Sequence, residues 1–378
     1  MLKRFEVRNF KNFRDSVIVD FSKVGGYQFN QDCLTNGNIG KMIIYGKNAT
    51  GKTNLGWALM NIWSNLLGIT LKNAPFLNVD SDEGSAYFRY DFVFDGTSLI
   101  YEYRKRAEKV LTEETLKKDG RTVFSIYFDK NAYDTSGLHL VQAETLVFER
   151  YKQFLSDDEK KGETLPFLRW ILANTALSDE SVLLRLINYV RGMNFSSVGD
   201  RIVSGPRGMQ EEFLEYLDEG DHLADLTAFL NQMGISCKLA ILQSPDGTKN
   251  LYFDNKTPIP FVLNASSGTL ALFRLYQKIT MAANASSFLY MDEFDAFYHY
   301  EMAENVVRFL IKKYPKCQII LTTHNTNLMT NRFMRPDCLF ILSQSGHLTA
   351  LCNATSRELR EGHNLEKMYI SGEFEPYE

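Results

Sequence analysis

Apolar and polar residues alternate through most of the first 130 residues, a pattern typical of β-strands. The alternation predicts strands at residues 2–9 and 16–21 and two later hairpins, whose turns are Asp95-Gly96 and Asp119-Gly120. An Asp-Gly pair favours a tight turn because such a turn needs positive φ angles. After the first strand pair the apolar spacing becomes helical, which predicts one helix from Lys52 to about Leu67.

A second pattern begins near residue 131, where the strand alternation ends. Short helices are predicted at 164–174, 180–193 and 209–219, with Gly192 and the Gly- and Pro-containing stretch 204–208 as breakers. No heptad register survives these breaks, which excludes a long coiled coil. The chain is therefore predicted to have three parts, which are an N-terminal lobe (1–130), a helical insertion (131–221) and a C-terminal lobe (222–378).

The C-terminal part alternates helix and strand, as a parallel α/β sheet does. The predicted elements are helices at 221–233, 268–284 and 300–314, strands at 287–292 and 317–323, a strand pair about Asp246-Gly247, and a hairpin about Ser345-Gly346. An α/β fold class follows from this alternation.

Composition narrows the class of protein only a little. The 378 residues include 42 basic and 46 acidic side chains, for a net charge of −4, with 44% hydrophobic residues. These ordinary values exclude a disordered chain and a histone-like binder, so nucleic-acid binding would need a local basic patch. Five cysteines without a Cys-x-x-Cys pair predict reduced thiols, and we expect a cytoplasmic protein with no signal peptide and no membrane span.

The pattern Gly-x4-Gly-Lys-Thr follows a predicted strand at 41–45 and opens the predicted helix at Lys52. In such a loop the backbone N–H groups surround phosphates, the lysine reaches the β- and γ-phosphates, and the threonine hydroxyl binds Mg²⁺. The residues expected to contact the nucleotide are Gly46, Asn48, Gly51, Lys52, Thr53 and Asn54, with Thr53 also a metal ligand.

A buried-type strand ends in Asp292 and Glu293, which supply the carboxylates that a Mg²⁺-nucleotide site needs at the end of a neighbouring strand. Asp292 is the predicted metal ligand, and Glu293 is the predicted catalytic group that polarises the attacking water. Asp292 lies 240 residues after Lys52, so the site is predicted to form from both ends of the chain.

Two further segments fit this divided site. One strand ends in Thr322-Thr323-His324, where the histidine is predicted to sense the γ-phosphate. The segment Ser266-Ser267-Gly268-Thr269 precedes a helix and offers hydroxyl and N–H groups to an anion.

In this order, the phosphate loop, Ser-Ser-Gly-Thr, Asp-Glu-Phe-Asp and Thr-Thr-His segments resemble the ATP-binding-cassette (ABC) superfamily. The similarity is to its soluble branch, which contains SMC heads, RecF and the overcoming-lysogenization-defect nucleases, and above all to compact ATP-binding proteins of bacterial anti-phage systems. Residues 2–21 resemble the opening hairpin of that branch, and residues 291–299 resemble its metal-binding and catalytic segment. The tail at 364–376 is similar to a tail motif of the compact proteins, except that Glu373 and Glu375 stand where Arg and Gly are usual.

The resemblance implies an ABC-type P-loop ATPase head with an antiparallel β lobe, which binds ATP and Mg²⁺. Thr53 and Asp292 would hold the metal, Glu293 would be the catalytic base, and His324 would be the switch histidine. The signature loop, at Ser266, Gly268 and Thr269, would contact ATP on a second subunit, and Asp295 would lie at the interface of that homodimer or larger homo-oligomer. His299 matches a frequent family position without an assigned role.

The resemblance further implies a sensor or regulator of anti-phage defence. The 54 residues after His324 are too few for a fused nuclease domain, so the effector is expected to be a separate protein. Neither Gln28 nor Gln142 is supported as a Q-loop glutamine, and Asn12 is a guessed nucleotide contact.

Two alternatives remain open. One is an ATP-gated DNA-repair factor of the RecF kind, which would use the basic runs 104–106 and 117–118 to bind DNA. The other is a phosphotransferase that acts on a small molecule; this alternative explains the signature loop poorly.

Overall fold

The computed structural model of the protein describes residues 1–70, 75–159, 162–197, 207–243, 247–283, 286–297 and 299–378. Asp246 of the predicted turn, residue 284 of a predicted helix and part of the 204–208 breaker lie outside these residues. The strands are β1 (Leu2–Arg8), β2 (Val17–Asp20), β3 (Leu34–Thr35), β4 (Asn38–Ile39), β5 (Lys41–Tyr45), β6 (Ala86–Phe94), β7 (Thr97–Ala107), β8 (Val110–Lys118), β9 (Arg121–Tyr127), β10 (Ala132–Asp134), β11 (Met193–Ser197), β12 (Leu239–Gln243), β13 (Lys249–Phe253), β14 (Ile259–Pro260), β15 (Phe288–Asp292), β16 (Gln318–Thr323), β17 (Leu339–Leu342) and β18 (Leu348–Ala350). The helices are α1 (Lys52–Met60), α2 (Ile62–Leu66), α3 (Phe148–Glu159), α4 (Phe167–Asn174), α5 (Val182–Arg191), α6 (Arg207–Asp218), α7 (His222–Gln232), α8 (Phe261–Asn264), α9 (Ser267–Ala283), α10 (Tyr300–Lys313) and α11 (Leu365–Ile370).

The first large sheet is antiparallel, with the order β10-β9-β8-β7-β6-β1-β2. Its predicted hairpins are confirmed, because Asp95 and Asp119 have φ angles of 47° and 49° and each is followed by a glycine with positive φ. Alternate side chains of β6 and β7 are buried. The buried ones include a row of aromatic rings, which packs one face of this lobe over α1 and α2: Phe88, Tyr90, Phe92, Tyr101 and Tyr103.

The second sheet has the order β11-β15-β16-β5-β17-β18 and is parallel from β11 to β17. Every residue of β5, β16 and β17 is buried, as expected for the centre of a parallel sheet. The carboxylate-bearing strand β15 was predicted to lie next to the phosphate-loop strand β5. That prediction is wrong in detail, because β16 lies between the two strands and pairs with both.

One glutamine joins the two sheets. The side-chain amide of Gln318, in β16, donates to the carbonyl oxygen of Leu2 at 2.8 Å and accepts from its N–H at 2.9 Å. The hydroxyl of Tyr189 donates to the same amide oxygen at 2.7 Å. These buried bonds attach the first strand of the antiparallel lobe to the strand that ends beside the phosphate loop.

The helix predicted from Lys52 to Leu67 is interrupted at Asn61. There the backbone bonds span three residues instead of four, from Asn61 N–H to Ala58 and from Ser64 N–H to Asn61. The buried Asn61 side chain also accepts a bond from the Tyr103 hydroxyl at 3.1 Å. An asparagine that bonds to a neighbouring sheet explains the break, which apolar spacing alone does not reveal.

The segment 131–221 contains the three predicted helices as α4, α5 and α6, and also α3, which was not predicted. It is not purely helical, however, because β10 extends the antiparallel lobe and β11 is the edge strand beside β15. Strands of three and five residues are too short to show a period of their own. The boundaries of the insertion stay a prediction.

All five cysteines are free, and Cys33, Cys317 and Cys338 are buried, as the reduced-thiol prediction requires. Throughout the described part of the chain, the helices are too short or too polar to span a bilayer.

Candidate functional site

The phosphate loop connects β5 to α1 and depends on glycine at two positions. Gly51 has a φ angle of 103°, and a Cβ atom there would lie 2.3 Å from Asn12 Nδ2. A Cβ atom on Gly46 would lie 2.6 Å from Thr50 Oγ1. A larger residue would collide with these side chains, and at Gly51 it would also strain the backbone, so glycine suits both positions.

Lys52 lies across this loop. Its ammonium group donates to the carbonyl oxygens of Gly46 at 2.8 Å and Lys47 at 3.1 Å. Burial lowers the pKa of Lys52, and the carboxylates of Glu293, Asp292 and Asp295 oppose that shift. The carbonyl oxygens of the phosphate loop therefore position the Lys52 ammonium group, which is predicted to bind phosphate.

Asn12, which was only guessed to contact the nucleotide, lies against the loop. Its amide nitrogen donates to the Thr50 carbonyl at 3.1 Å, and its amide oxygen accepts from the Asn54 side chain at 2.7 Å. The turn between β1 and β2 thus holds the phosphate loop from the antiparallel lobe. A contact between Asn12 and the nucleotide stays a prediction.

Asp292 connects the two ends of the chain. One carboxylate oxygen accepts from the Thr53 hydroxyl at 2.6 Å, and the other accepts from the Thr322 hydroxyl at 2.7 Å. A carboxylate and a hydroxyl are oxygen ligands of the kind that Mg²⁺ prefers. No group of three or more His, Cys, Asp or Glu side chains in the described ranges could hold a metal. Thr53 and Asp292 would therefore share the cation with nucleotide phosphates and water.

Glu293 leaves the strand abruptly, with a φ angle of 46°. Its N–H donates to the Thr322 hydroxyl at 2.9 Å, so the same hydroxyl supports Asp292 and Glu293. Left-handed backbone at a residue other than glycine is costly and is concentrated at functional sites.

Two residues further on, Asp295 is buried and accepts from the Thr323 hydroxyl at 2.8 Å. His324 is exposed directly after these threonines.

The predicted signature loop forms the N-terminal cap of α9. The Ser266 hydroxyl accepts from the Thr269 N–H at 3.1 Å and lies 2.9 Å from its hydroxyl. A Cβ atom on Gly268 would lie 3.4 Å from the Phe297 carbonyl oxygen, so the loop borders the turn that follows β15. Ser266 itself is exposed.

Other predicted residues lie elsewhere. His299 is exposed at the start of α10, and Gln28 and Gln142 are exposed residues whose bonds are to Gly26 and Ser178. In the tail, Glu373 accepts from the Thr355 hydroxyl at 2.6 Å, which gives this unusual residue a structural partner.

Sequence reasoning missed two features of the site. Thr322 had been noted only as part of a strand end, although its hydroxyl bonds to the Asp292 carboxylate. Lys47 of the phosphate loop pairs with the Glu378 side chain at 2.6 Å, which brings the tail to the loop. Adjacent threonines at the end of a strand were a usable signal for the first feature, whereas nothing local indicated the second.

A phosphate loop between a central parallel strand and a helix, with a carboxylate two strands away, defines the class as a P-loop nucleotide-binding protein. The predicted α/β class with an antiparallel lobe is confirmed by the two large sheets. The chain belongs to the family described as "AAA domain, putative AbiEii toxin, Type IV TA system", which matches residues 41–330.

Solved SMC heads are similar to this chain at low identity. The SMC head domain from Thermotoga maritima is 15% identical, with 92% of this chain and 98% of that chain covered and a TM-score of 0.42. An SMC head with an extended coiled coil, bound to the C-terminal domain of ScpA and derived from Pyrococcus furiosus, is 14% identical, with coverages of 90% and 92% and a TM-score of 0.42. An SMC head bound to the C-winged helix domain of ScpA is 14% identical, with coverages of 90% and 93% and a TM-score of 0.44. No curated protein matches the chain in sequence.

Proposed function

We propose that this protein is a cytoplasmic, Mg²⁺-dependent ATPase that hydrolyses ATP between two copies arranged head to tail. The observation that carries the proposal is the contact of Asp292 with Thr53, because it joins a carboxylate to the hydroxyl of the phosphate loop, and Mg²⁺ prefers oxygen ligands of both kinds. Glu293 follows directly, on a backbone that turns it away from the strand. Metal ligand and catalytic carboxylate are then adjacent, as hydrolysis of a Mg²⁺-nucleotide requires.

Each group has a defined task in this mechanism. Lys52 and the loop N–H groups bind the β- and γ-phosphates, and Thr53 and Asp292 hold the Mg²⁺ ion that neutralises their charge. Glu293 orients and deprotonates the attacking water, and His324 contacts the γ-phosphate. A positioned acid or base of this kind contributes about 10²–10⁴ in rate.

The head-to-tail pair is supported by the surface around the signature loop. Ser266 is exposed, and large apolar side chains are exposed just before it in the sequence and on the neighbouring turn. Leu263 is 83% exposed and Phe297 is 55% exposed. Clustered apolar exposure rimmed by polar residues is typical of an interface. In the proposed pair, Ser266, Gly268 and Thr269 contact ATP on the other copy. The turn that carries Asp295, which is itself buried within one copy, borders the same interface.

The test is Glu293→Gln, which keeps the shape of the side chain and removes the base. ATP should persist and hold two copies together, so light scattering after size exclusion should show about twice the monomer mass with ATP and Mg²⁺ only. Adding Ser266→Arg should restore the monomer by blocking the second contact.

The matched control is Glu361→Gln, an exposed glutamate in the tail. It should behave as the wild type. If Glu293→Gln binds ATP without any association, the head-to-tail mechanism is wrong and the phosphotransferase alternative is favoured.

The DNA-repair alternative needs free basic side chains, and most of those proposed for it have an acidic partner or are buried. Arg104 pairs with Glu113 at 3.4 Å, Lys117 pairs with Glu102 at 2.6 Å, and Arg106 pairs with Asp129. Lys105 is buried. Cations that are already paired or buried release few counterions from a DNA backbone. Duplex DNA should therefore raise ATP turnover less than about twofold, and strong salt-sensitive binding would favour the alternative.

The biological role we propose is regulation of anti-phage defence through a separate effector, and it rests on the family resemblance of the motifs. Cells that express this gene alone should remain phage-sensitive, and cells that also express its neighbouring genes should be protected. Full protection by this gene alone would contradict the separate effector.

A further inference from the structure

Two buried polar atoms beside the phosphate loop have no hydrogen-bond partner among the described residues. They are the hydroxyl of Tyr45, the last residue of β5, and the oxygen Oδ1 of Asp295. Tyr45 is 2% exposed and Asp295 is 7% exposed. Buried polar atoms are nearly always paired, and two such atoms in one region can satisfy each other through a shared partner.

The strand register brings the two residues to the same place. Tyr45 and Thr323 are opposite each other in the parallel pair of β5 and β16, so their side chains leave the same face of the sheet. The Thr323 hydroxyl donates to Asp295 Oδ2 at 2.8 Å. Thr323 therefore lies next to Tyr45 on one side and next to Asp295 on the other.

The chemistry of the two groups is complementary. Burial, and then the negative charge of Asp295, raise the pKa of Tyr45 well above its usual value. The phenol therefore keeps its proton and can donate, and a carboxylate oxygen can only accept. No direct hydrogen bond joins the two atoms, and a buried water is the usual bridge between such groups.

We propose that Tyr45 is a positioning residue for ATP hydrolysis, whose hydroxyl is linked through one buried water to Asp295 Oδ1. The link connects the strand that carries the phosphate loop to the turn that carries Glu293. Because Asp295 is only two residues from Glu293, holding its carboxylate holds the catalytic turn in place. The role in hydrolysis rests on the proposed function, whereas the link itself does not.

The first experiment measures thermal stability without nucleotide. Tyr45→Phe removes only the hydroxyl, so loss of the link should lower the melting temperature by about 1–3 °C. If the hydroxyl has no partner, the same variant should melt at the same or a higher temperature, because an unpaired buried hydroxyl destabilises the fold. That result would overturn the proposal.

Tyr314 offers a matched control. Its hydroxyl also has no hydrogen-bond partner among the described residues, and it lies at the end of α10, outside the site. Tyr314→Phe should leave the melting temperature unchanged or raise it, with no change in ATP turnover.

A double-mutant comparison tests the partner. If Tyr45 acts through Asp295, Tyr45→Phe combined with Asp295→Asn should lower the melting temperature by less than the two single changes added together. Strict additivity would overturn the link. This comparison needs no ATPase activity, so it can succeed even if the proposed function fails.

Kinetics then test the positioning role. Tyr45→Phe should lower kcat for ATP hydrolysis about three- to tenfold and leave the ATP Kd within about twofold of wild type, since the change affects only the transition state. A merely structural role would weaken ATP binding as well. Unchanged kcat in Tyr45→Phe would overturn the positioning role, and absence of hydrolysis in the wild type would instead contradict the proposed function.

Discussion

The hydroxyl of Thr53 donates a 2.6 Å hydrogen bond to Asp292, which lies 239 positions later in the chain. Both groups carry oxygen atoms of the kind that Mg²⁺ prefers, and the hydrogen bond brings them together from opposite ends of the chain. Thr53 and Asp292 are therefore the residues that would hold the cation beside the nucleotide phosphates.

Thr53→Ala should remove most of the benefit of Mg²⁺ for ATP binding. We expect the affinity for ATP with Mg²⁺ to fall about tenfold, because one metal ligand is lost, while the affinity in EDTA stays close to wild type. Calorimetry with and without the metal measures both values. Thr53→Ser keeps the hydroxyl and should bind as the wild type does, and an equal loss in EDTA would mean that Thr53 supports the loop and not the metal.

Lys52→Ala should weaken ATP binding about 10- to 100-fold, because it removes the buried cation from the phosphates. Lys47 provides the control within the same loop. Its side chain is 58% exposed and pairs with Glu378, so Lys47→Ala should change the ATP Kd less than about threefold. Titration with a fluorescent ATP analogue compares the two variants. Similar losses in both would show that Lys52 has no special position.

Stability should fall as the pH rises through the range in which Glu114 ionises. This carboxyl is fully buried and accepts from the N–H groups of Phe167 and Leu168 at the start of α4. Burial raises its pKa from 4.5 to about 7, an effect that those bonds and the Tyr101 hydroxyl oppose. Because the folded pKa lies above the unfolded one, the contribution of Glu114 to stability is complete below about pH 4.5 and is lost as the pH rises to about 7.

Urea unfolding between about pH 5 and pH 8 checks this prediction. Relative to Glu114→Gln, which cannot titrate, the wild type should lose up to about 3 kcal/mol of unfolding free energy across the range. The half-exposed neighbour Glu113 is the control, since Glu113→Gln should follow the wild-type curve. Parallel curves for wild type and Glu114→Gln would contradict the raised pKa.

The parts of the site that could be predicted from the sequence are those whose chemistry is local. The loop from Gly46 to Thr53 and the pair Asp292-Glu293 carry their spacing and flanking strands within about ten residues, so pattern alone indicates them. The contact of Lys47 with Glu378 and the shared face of Tyr45 and Thr323 depend on tertiary structure, which leaves no local pattern.

The fold shows the same division. Hairpins at Asp-Gly turns were predictable because the turn residues themselves favour positive φ. The break at Asn61 and the edge strand β11 were not predictable, because both depend on a neighbouring sheet. Asn61 accepts a hydrogen bond from the Tyr103 hydroxyl, and β11 pairs with the backbone of β15. Tertiary contacts outweigh local preference most often in such short elements.

The order of strands around β5 has a consequence for protein synthesis. Within the described part of the chain, β5 pairs with β16 and β17, whose residues leave the ribosome roughly 15–60 s later at about 5–20 residues per second. By contrast, β1 pairs with β2 and β6, so much of the antiparallel lobe can form while translation continues. During that delay the nascent chain carries a phosphate loop whose supporting strand has neither neighbour. Until translation has passed β17, the five core residues of β5 therefore form an apolar segment that is prone to aggregation.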